Sequence, residues 1–402
     1  MDVAFFTESY PPTRDGVATV VSALARTLTR LGHRVQVFTP NPVKGESGGR
    51  VDLDGVEVVR SRSVPVPLYS EYRWAVFPFT QLIGERFGSR VDVVHVHTPG
   101  IMGSEGFLAA RRWHKPLVGT FHTNVYEMQE SFEGRPFVQL FLRIASFYGL
   151  GTYWRCDTTT APTQAARRAL EARATKPFRR PVQVIPNGIE LDRFHPGIST
   201  PDWRERCGLP DAPLVTFLGR LTADKGIHRF LDAIESIPRS TSFSALIAGS
   251  GPESTAVRAR LASESPTLRR ARYIGPVAEE EKPSLLAQSD VFVLPSTADT
   301  SSVALLEAMA SGAACIASTE GGPAEIVRDG VTGRLVPVRE PGPLAARIAE
   351  LVEDAAGRRR LGQAGVEYVR RTASIEVVAR RFISLYEVLL SERAGGAVGP
   401  GR

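Results

Sequence analysis

Short apolar runs alternate along this chain with longer segments whose apolar residues recur every three or four positions. Residues 3–7 (VAFFT) are a continuous apolar run, as a strand buried on both faces requires. Val17, Val20, Val21, Leu24, Leu28 and Leu31 then share one helical face, and Gly32 ends that helix before a second run at 35–38. The alternation continues through runs at 91–96, 117–120, 158–160 and 182–185. Continuous apolar strands separated by helices predict a parallel sheet covered on both faces.

Residues 191–212 break this rhythm with Pro and charge, which marks a boundary. A second alternation follows, with runs at 214–217, 245–248, 271–274, 291–294 and 314–317. Helical patterns at 342–354 and 375–391 outrun what one sheet needs. The expected organisation is therefore an α/β chain of two facing, doubly wound, Rossmann-like domains. Their bounds are 1–192 and 213–373, joined by a linker at 193–212. A helix at 374–393 returns to the first domain, and 394–402 is a flexible Gly-rich tail. Ligands of such domains bind beyond the carboxyl ends of the strands, where helix N-termini and loop amides converge.

Composition narrows this picture. The 402 residues are 43% hydrophobic and 23% charged, which suits a folded globular chain and excludes wholesale disorder. Forty-nine basic against 43 acidic residues leave +6, a bias suited to anionic small molecules or an anionic membrane surface and too diffuse for nucleic acid. Cys156, Cys207 and Cys315 are odd in number and far apart, so they read as reduced core residues in a cytoplasmic protein. The first residues carry no signal-peptide pattern, and no stretch of 18 apolar residues occurs.

Candidate chemistry collects at the ends of the predicted strands. Gly16, at the turn into the first helix, allows backbone to approach a phosphate. Gly219 and Arg220, then Lys225, follow the first strand of the second half, where a guanidinium fork and an ammonium can hold a diphosphate. Ser301, Ser302 and Val303 stand where a polar loop turns into a helix, a second anion site. Asp299 and Glu307 flank that start, and carboxylates beside a phosphate site suit sugar hydroxyls; an N-cap and an exposed helical Glu are the ordinary alternatives. His95 and His97 share a strand face, as metal ligands do, yet no third ligand of suitable spacing and no DxD pair accompanies them. His122 ends a strand and so points into the cleft or is a satisfied core residue. No GxSxG, HExxH, Walker A or kinase set is present.

Six segments carry a resemblance in order and spacing: 7–17 (TESYPPTRDGV), 120–123 (TFHT), 184–189 (VIPNGI), Gly219-Arg220 with Lys225-Gly226, 249–253 (GSGPE) and 295–312. Together they resemble retaining GT-B glycosyltransferases of family 4, across nearly residues 1–370. The resemblance implies a nucleotide-diphosphate sugar donor, bound mainly by the second domain, and a hydroxyl acceptor on the first. Arg220 and Lys225 would stabilise the leaving diphosphate, and His122 would touch the donor sugar near its 6-hydroxyl. Glu307 would take the ribose hydroxyls, and Asp299 would fill the first position of the family's E-x7-E pair. Gly16, Asn187, Gly219, Gly251, Pro252, Ser301, Ser302 and Val303 would complete the donor site. Asp299 replaces the usual Glu, and Ser302 the usual Gly, which bears on donor choice. Transfer with retention, without a covalent intermediate, metal or other cofactor, is what the resemblance implies.

Residues 97–103 (HTPGIMG) and the opening TESYPP resemble the branch that glycosylates lipids such as diacylglycerol or phosphatidylinositol. The stretch 65–78, with Tyr69 and Arg73, offers groups for an interface-bound acceptor, and its use would bring peripheral contact with the inner face of a membrane. A soluble natural-product acceptor is the alternative. An epimerase, an NAD-dependent oxidoreductase and an inactive sugar-nucleotide binder are rivals of other classes.

Overall fold

The computed structural model describes residues 1–43, 49–66, 69–76, 90–122, 149–198, 203–263 and 265–396. The chain divides into two compact units, Met1–Gly188 with Ile375–Arg402, and Ile189–Ser374.

The first unit is built on an eight-stranded sheet: β1 (Asp2–Phe6), β2 (Arg34–Pro40), β3 (Arg50–Leu53), β4 (Val56–Ser61), β7 (Val93–Val96), β8 (Leu117–Thr120), β9 (Thr158–Ala161) and β10 (Gln183–Val184). Their order is β10-β9-β8-β7-β1-β2-β4-β3, parallel except for the β3–β4 pair. A separate ribbon pairs β5 (Ser63–Val66) with β6 (Tyr69–Ala75). Helix α1 (Gly16–Arg30) buries Val20, Val21, Leu24 and Leu28, and Asp15 caps it by accepting from the Ala18 amide at 2.8 Å. Helix α2 (Ile101–Arg112) covers the other face of the sheet, packing on β7 and β1. The order reverses between β1 and β7, so the loops after these two strands meet at the unit's own switch point.

The helix Ile375–Gly396 completes this core. Ile375, Val378, Ala379, Phe382, Leu385, Tyr386 and Leu389 repeat at helical spacing and pack among Val3, Phe5, Leu24 and Leu28. Gly188 permits that approach, because a Cβ there would lie 2.5 Å from the Ile375 side chain.

The second unit has a six-stranded, wholly parallel sheet. Its strands are β11 (Leu214–Leu218), β12 (Ser244–Ala248), β13 (Ala271–Gly275), β14 (Val291–Leu294), β15 (Ala314–Ser318) and β16 (Arg334–Val336), in the order β13-β12-β11-β14-β15-β16. Helices α3 (Ile227–Ser236) and α5 (Pro341–Glu353) pack on one face, whereas α4 (Val303–Ala310) and α6 (Ala355–Thr372) pack on the other. The switch point falls between β11 and β14.

Two expectations need correction or restriction. The expected linker at 193–212 is part of the second unit: Phe194, Trp203 and Leu209 are buried in its core, and the Trp203 indole donates to Ser284 Oγ at 2.8 Å. Pro and charge broke the sheet rhythm there without freeing the chain, because three large apolar side chains anchor it. The tail expected at 394–402 lies outside the described residues beyond 396. Among the described residues no helix is long and apolar enough to cross a membrane.

Candidate functional site

In the second unit, the loops after β11 and β12 are laced by backbone bonds, Leu221 N to Ser250 O at 2.9 Å and Glu253 N to Leu221 O at 3.0 Å. Such close approach excludes side chains. A Cβ on Gly249 (φ +137°) would lie 1.8 Å from the Gly219 carbonyl oxygen, and one on Gly251 would lie 2.3 Å from that of Leu221. Pro252 follows on the exposed side of this junction. Arg220 stands at its mouth, exposed and without an ion pair among the described residues. It is the one cation of the expected diphosphate pair whose donors are all uncommitted among the described residues.

Lys225 is placed differently. It ends a single 3₁₀ turn (Ala223–Lys225), and its Nζ pairs with Asp299 Oδ2 at 2.7 Å. Asp299 is therefore not the N-cap that sequence reasoning offered as its ordinary role. That role belongs to Ser302, whose side chain accepts from the Leu305 amide at 3.2 Å at the start of α4. Val303 opens the helix. Ser301 is buried beside it with no hydrogen-bond partner for its hydroxyl among the described residues.

Glu307 is 2% exposed, so the alternative of a solvated helical Glu does not hold. Burial raises its pKa, opposed by the Lys282 ammonium. Lys282 is itself paired to Glu279 at 2.5 Å; burial lowers its pKa, but Glu307 and Glu279 outweigh that and hold it up. Oε1 of Glu307 has no partner among the described residues. A buried carboxylate oxygen with spare acceptor capacity suits a ligand that brings hydroxyl donors.

In the first unit, three imidazoles gather behind the carboxyl ends of β7 and β8. His95 bonds Tyr386 through Nδ1 at 2.7 Å and Thr120 through Nε2 at 2.6 Å. His97 Nδ1 meets His122 Nε2 at 3.1 Å, and His122 also bonds the buried Asn187 side chain. Burial drives His95 and His97 well below the ordinary imidazole value and His122 down to about 4, with the Asn187 bond pulling the other way. All three are neutral near pH 7. Both His95 nitrogens are bonded inside the protein, so His95 has a structural use, whereas Nε2 of His97 has no partner among the described residues.

Gly16 opens α1, directly after its Asp15 cap. Arg73 braces the β5–β6 ribbon, donating from Nε to Ser63 Oγ at 2.8 Å and from a terminal nitrogen to Ser63 O at 2.9 Å. Much of its expected capacity for an acceptor is thus committed within the chain. The side chain of Tyr69 lies outside the described part of the structure. Sequence reasoning passed over Glu8 as a working residue. Its carboxylate accepts from the Met102 amide at 2.7 Å, Oε2 has no partner among the described residues, and burial pushes its pKa up to about 7. Its signal was available: a lone acid in the turn directly after β1.

Two doubly wound, mainly parallel sheets, with glycine-dependent loops and cations at the switch point of the second, define a GT-B enzyme that uses nucleotide sugars. Residues 14–193 match the model described as Glycosyltransferase Family 4, and residues 199–368 that described as Glycosyl transferases group 1. The chain belongs to this glycosyltransferase family. It is 31% identical to the GDP-mannose-dependent alpha-mannosyltransferase of Mycobacterium tuberculosis, over 84% of both chains. It is 29% identical to the phosphatidyl-myo-inositol mannosyltransferase of the same organism, over 94% of both. In fold it resembles sucrose-phosphate synthase from Thermosynechococcus elongatus, with a TM-score of 0.76 over 97% of this chain and 99% of that one, at 22% identity.

Proposed function

We propose that this enzyme transfers a hexose, with retention of anomeric configuration, from a GDP- or UDP-linked donor to a hydroxyl of a glycolipid precursor at the inner face of a membrane. One grouping carries the reading: Arg220, Lys225 and the start of α4 occupy the switch point of the second unit, and buried Glu307 keeps an open acceptor on that helix. Arg220 and Lys225 hold the diphosphate and neutralise the charge that grows on it as the sugar leaves, the step at which fixed cations lower the barrier most. Glu307 takes the ribose hydroxyls. The N-terminus of α4, with the Ser301 hydroxyl, adds donors for phosphate oxygens. In the first unit, His97 and Asn187 hold the neutral imidazole of His122 in place, and in the transfer step the leaving phosphate oxygen takes the acceptor's proton. No metal or cofactor enters this scheme.

The mannosyltransferase relatives favour GDP-mannose as donor, and the phosphatidyl-myo-inositol enzyme among them favours a phosphatidylinositol-type acceptor. A thermal-shift screen with GDP, UDP, ADP and TDP, followed by transfer assays with the matching hexose donors, tests the donor side. A melting temperature raised by GDP alone, with mannose transferred to lipid, is the expected result. Sedimentation with anionic liposomes at low salt tests the acceptor side, and absence of binding there would overturn the lipid assignment.

A further inference from the structure

The ion pair of Lys225 and Asp299 sets two residues of the proposed donor site against each other. Their side chains are 16% and 8% exposed, and the backbone around them fixes the encounter. Asp224 O accepts from Thr297 N at 2.9 Å and from Ser296 Oγ at 3.1 Å, which ties the turn carrying Lys225 to the loop carrying Asp299. Gly226 (φ +77°) allows this contact, since a Cβ there would lie 2.2 Å from the Pro295 carbonyl oxygen. On the far side the Gly322 amide donates to Asp299 O at 2.8 Å, and a Cβ on Gly322 would lie 2.3 Å from Thr300 O. Both partners are thus clamped through backbone, and glycines occupy the crowded positions. This is a held contact between two sheltered charges, unlike the mobile surface pairs that contribute little.

We propose that Asp299 is an internal competitor for the Lys225 ammonium and thereby weakens the hold of the site on a diphosphate that brings no sugar. A diphosphate reaching Lys225 must take the ammonium from a carboxylate 2.7 Å away, and the displaced carboxylate then needs new donors in a sheltered place. Hydroxyls of a sugar supply such donors; a bare diphosphate supplies none and adds repulsion. Arg220, exposed and unpaired among the described residues, meets no such competition. The two cations are therefore unequal: Arg220 captures any diphosphate, whereas Lys225 is yielded only in exchange. The proposal rests on the reading of Arg220 and Lys225 as the diphosphate site.

Inorganic pyrophosphate is the suitable probe, because it carries the diphosphate without base or sugar. Its affinity for the full chain is measured by calorimetry for the wild type, Lys225→Met, Asp299→Asn, the double variant and Arg220→Ala, with melting curves to establish that each is folded. Competition predicts that Asp299→Asn tightens pyrophosphate by about tenfold or more. It also predicts that Lys225→Met costs less than about threefold in the wild type but more than about tenfold in the Asp299→Asn background, the coupling expected of residues in contact. Additive effects of the two substitutions, or an Asp299→Asn variant that binds no tighter, overturn the proposal. Loss of binding in Arg220→Ala alongside additive effects overturns the competition alone. Pyrophosphate affinity indifferent to Arg220, Lys225 and Asp299 alike overturns the diphosphate reading with it.

Discussion

Nδ1 of His97 lies 3.1 Å from Nε2 of His122, so one imidazole must donate to the other, and burial keeps both rings neutral. His122 protonates only near pH 4, below its ordinary value. A depressed imidazole contributes stability in full above about pH 6.5, and that contribution is lost as pH falls toward 4, to a total of about 3 kcal/mol. His122→Asn should therefore flatten part of the fall in melting temperature between pH 6.5 and 4, measured by calorimetry at fixed ionic strength. An unchanged slope would show that His122 charges freely in the folded protein.

Arg220 and Glu307 should fail differently. Arg220→Ala should lower kcat, and kcat/KM with it, by about a hundredfold or more, since it removes charge stabilisation that grows in the transition state. Glu307→Ala should chiefly raise the donor KM, because ribose contacts are the same in ground and transition states. Steady-state kinetics with donor varied at saturating acceptor separates the two outcomes.

Glu8 carries the opposite pH signature to His122. Its carboxyl titrates near 7 when folded, above its ordinary value, so the folded state holds a proton that the unfolded state has released. Stability from this group falls as pH rises from about 4.5 to 7 and stays low above that. Glu8→Gln should accordingly raise the melting temperature at pH 8 more than at pH 5, with a gain of up to about 3 kcal/mol. Equal effects at both pH values would place the Glu8 carboxyl in its ordinary range.

Tyr386→Phe removes one hydroxyl and leaves His95 Nδ1 buried without its 2.7 Å partner. The expected cost is about 1–3 kcal/mol of stability, read from chemical denaturation, with the C-terminal helix still packed through Phe382 and Leu389.

How far the sequence foretells these arrangements depends on how local their causes are. The strands of both central sheets announce themselves, because parallel strands buried on both faces need unbroken apolar runs such as those of β1 and β12. The edge strand β3 (RVDL) does not, since its residues are mostly exposed and its pairing decides its form. Residues 193–212 mislead because their burial depends on Phe194, Trp203 and Leu209 reaching a core assembled from later strands. At the site, Arg220 and Lys225 are legible from their place after a strand. The pairing of Lys225 with Asp299 joins residues 74 apart and follows from loop geometry that spacing does not encode. Glu307 reads as a surface residue on a helix diagram, and only the packing of α4 against its sheet makes it buried.

The return of Ile375–Gly396 to the first sheet has a consequence for biogenesis. The second unit is inserted in the first, whose core lacks Phe382, Tyr386 and Leu389 until synthesis has passed residue 389. Every residue of the second unit has been made by residue 374, before the last wall of the first exists. The half whose synthesis begins first thus has its core completed last.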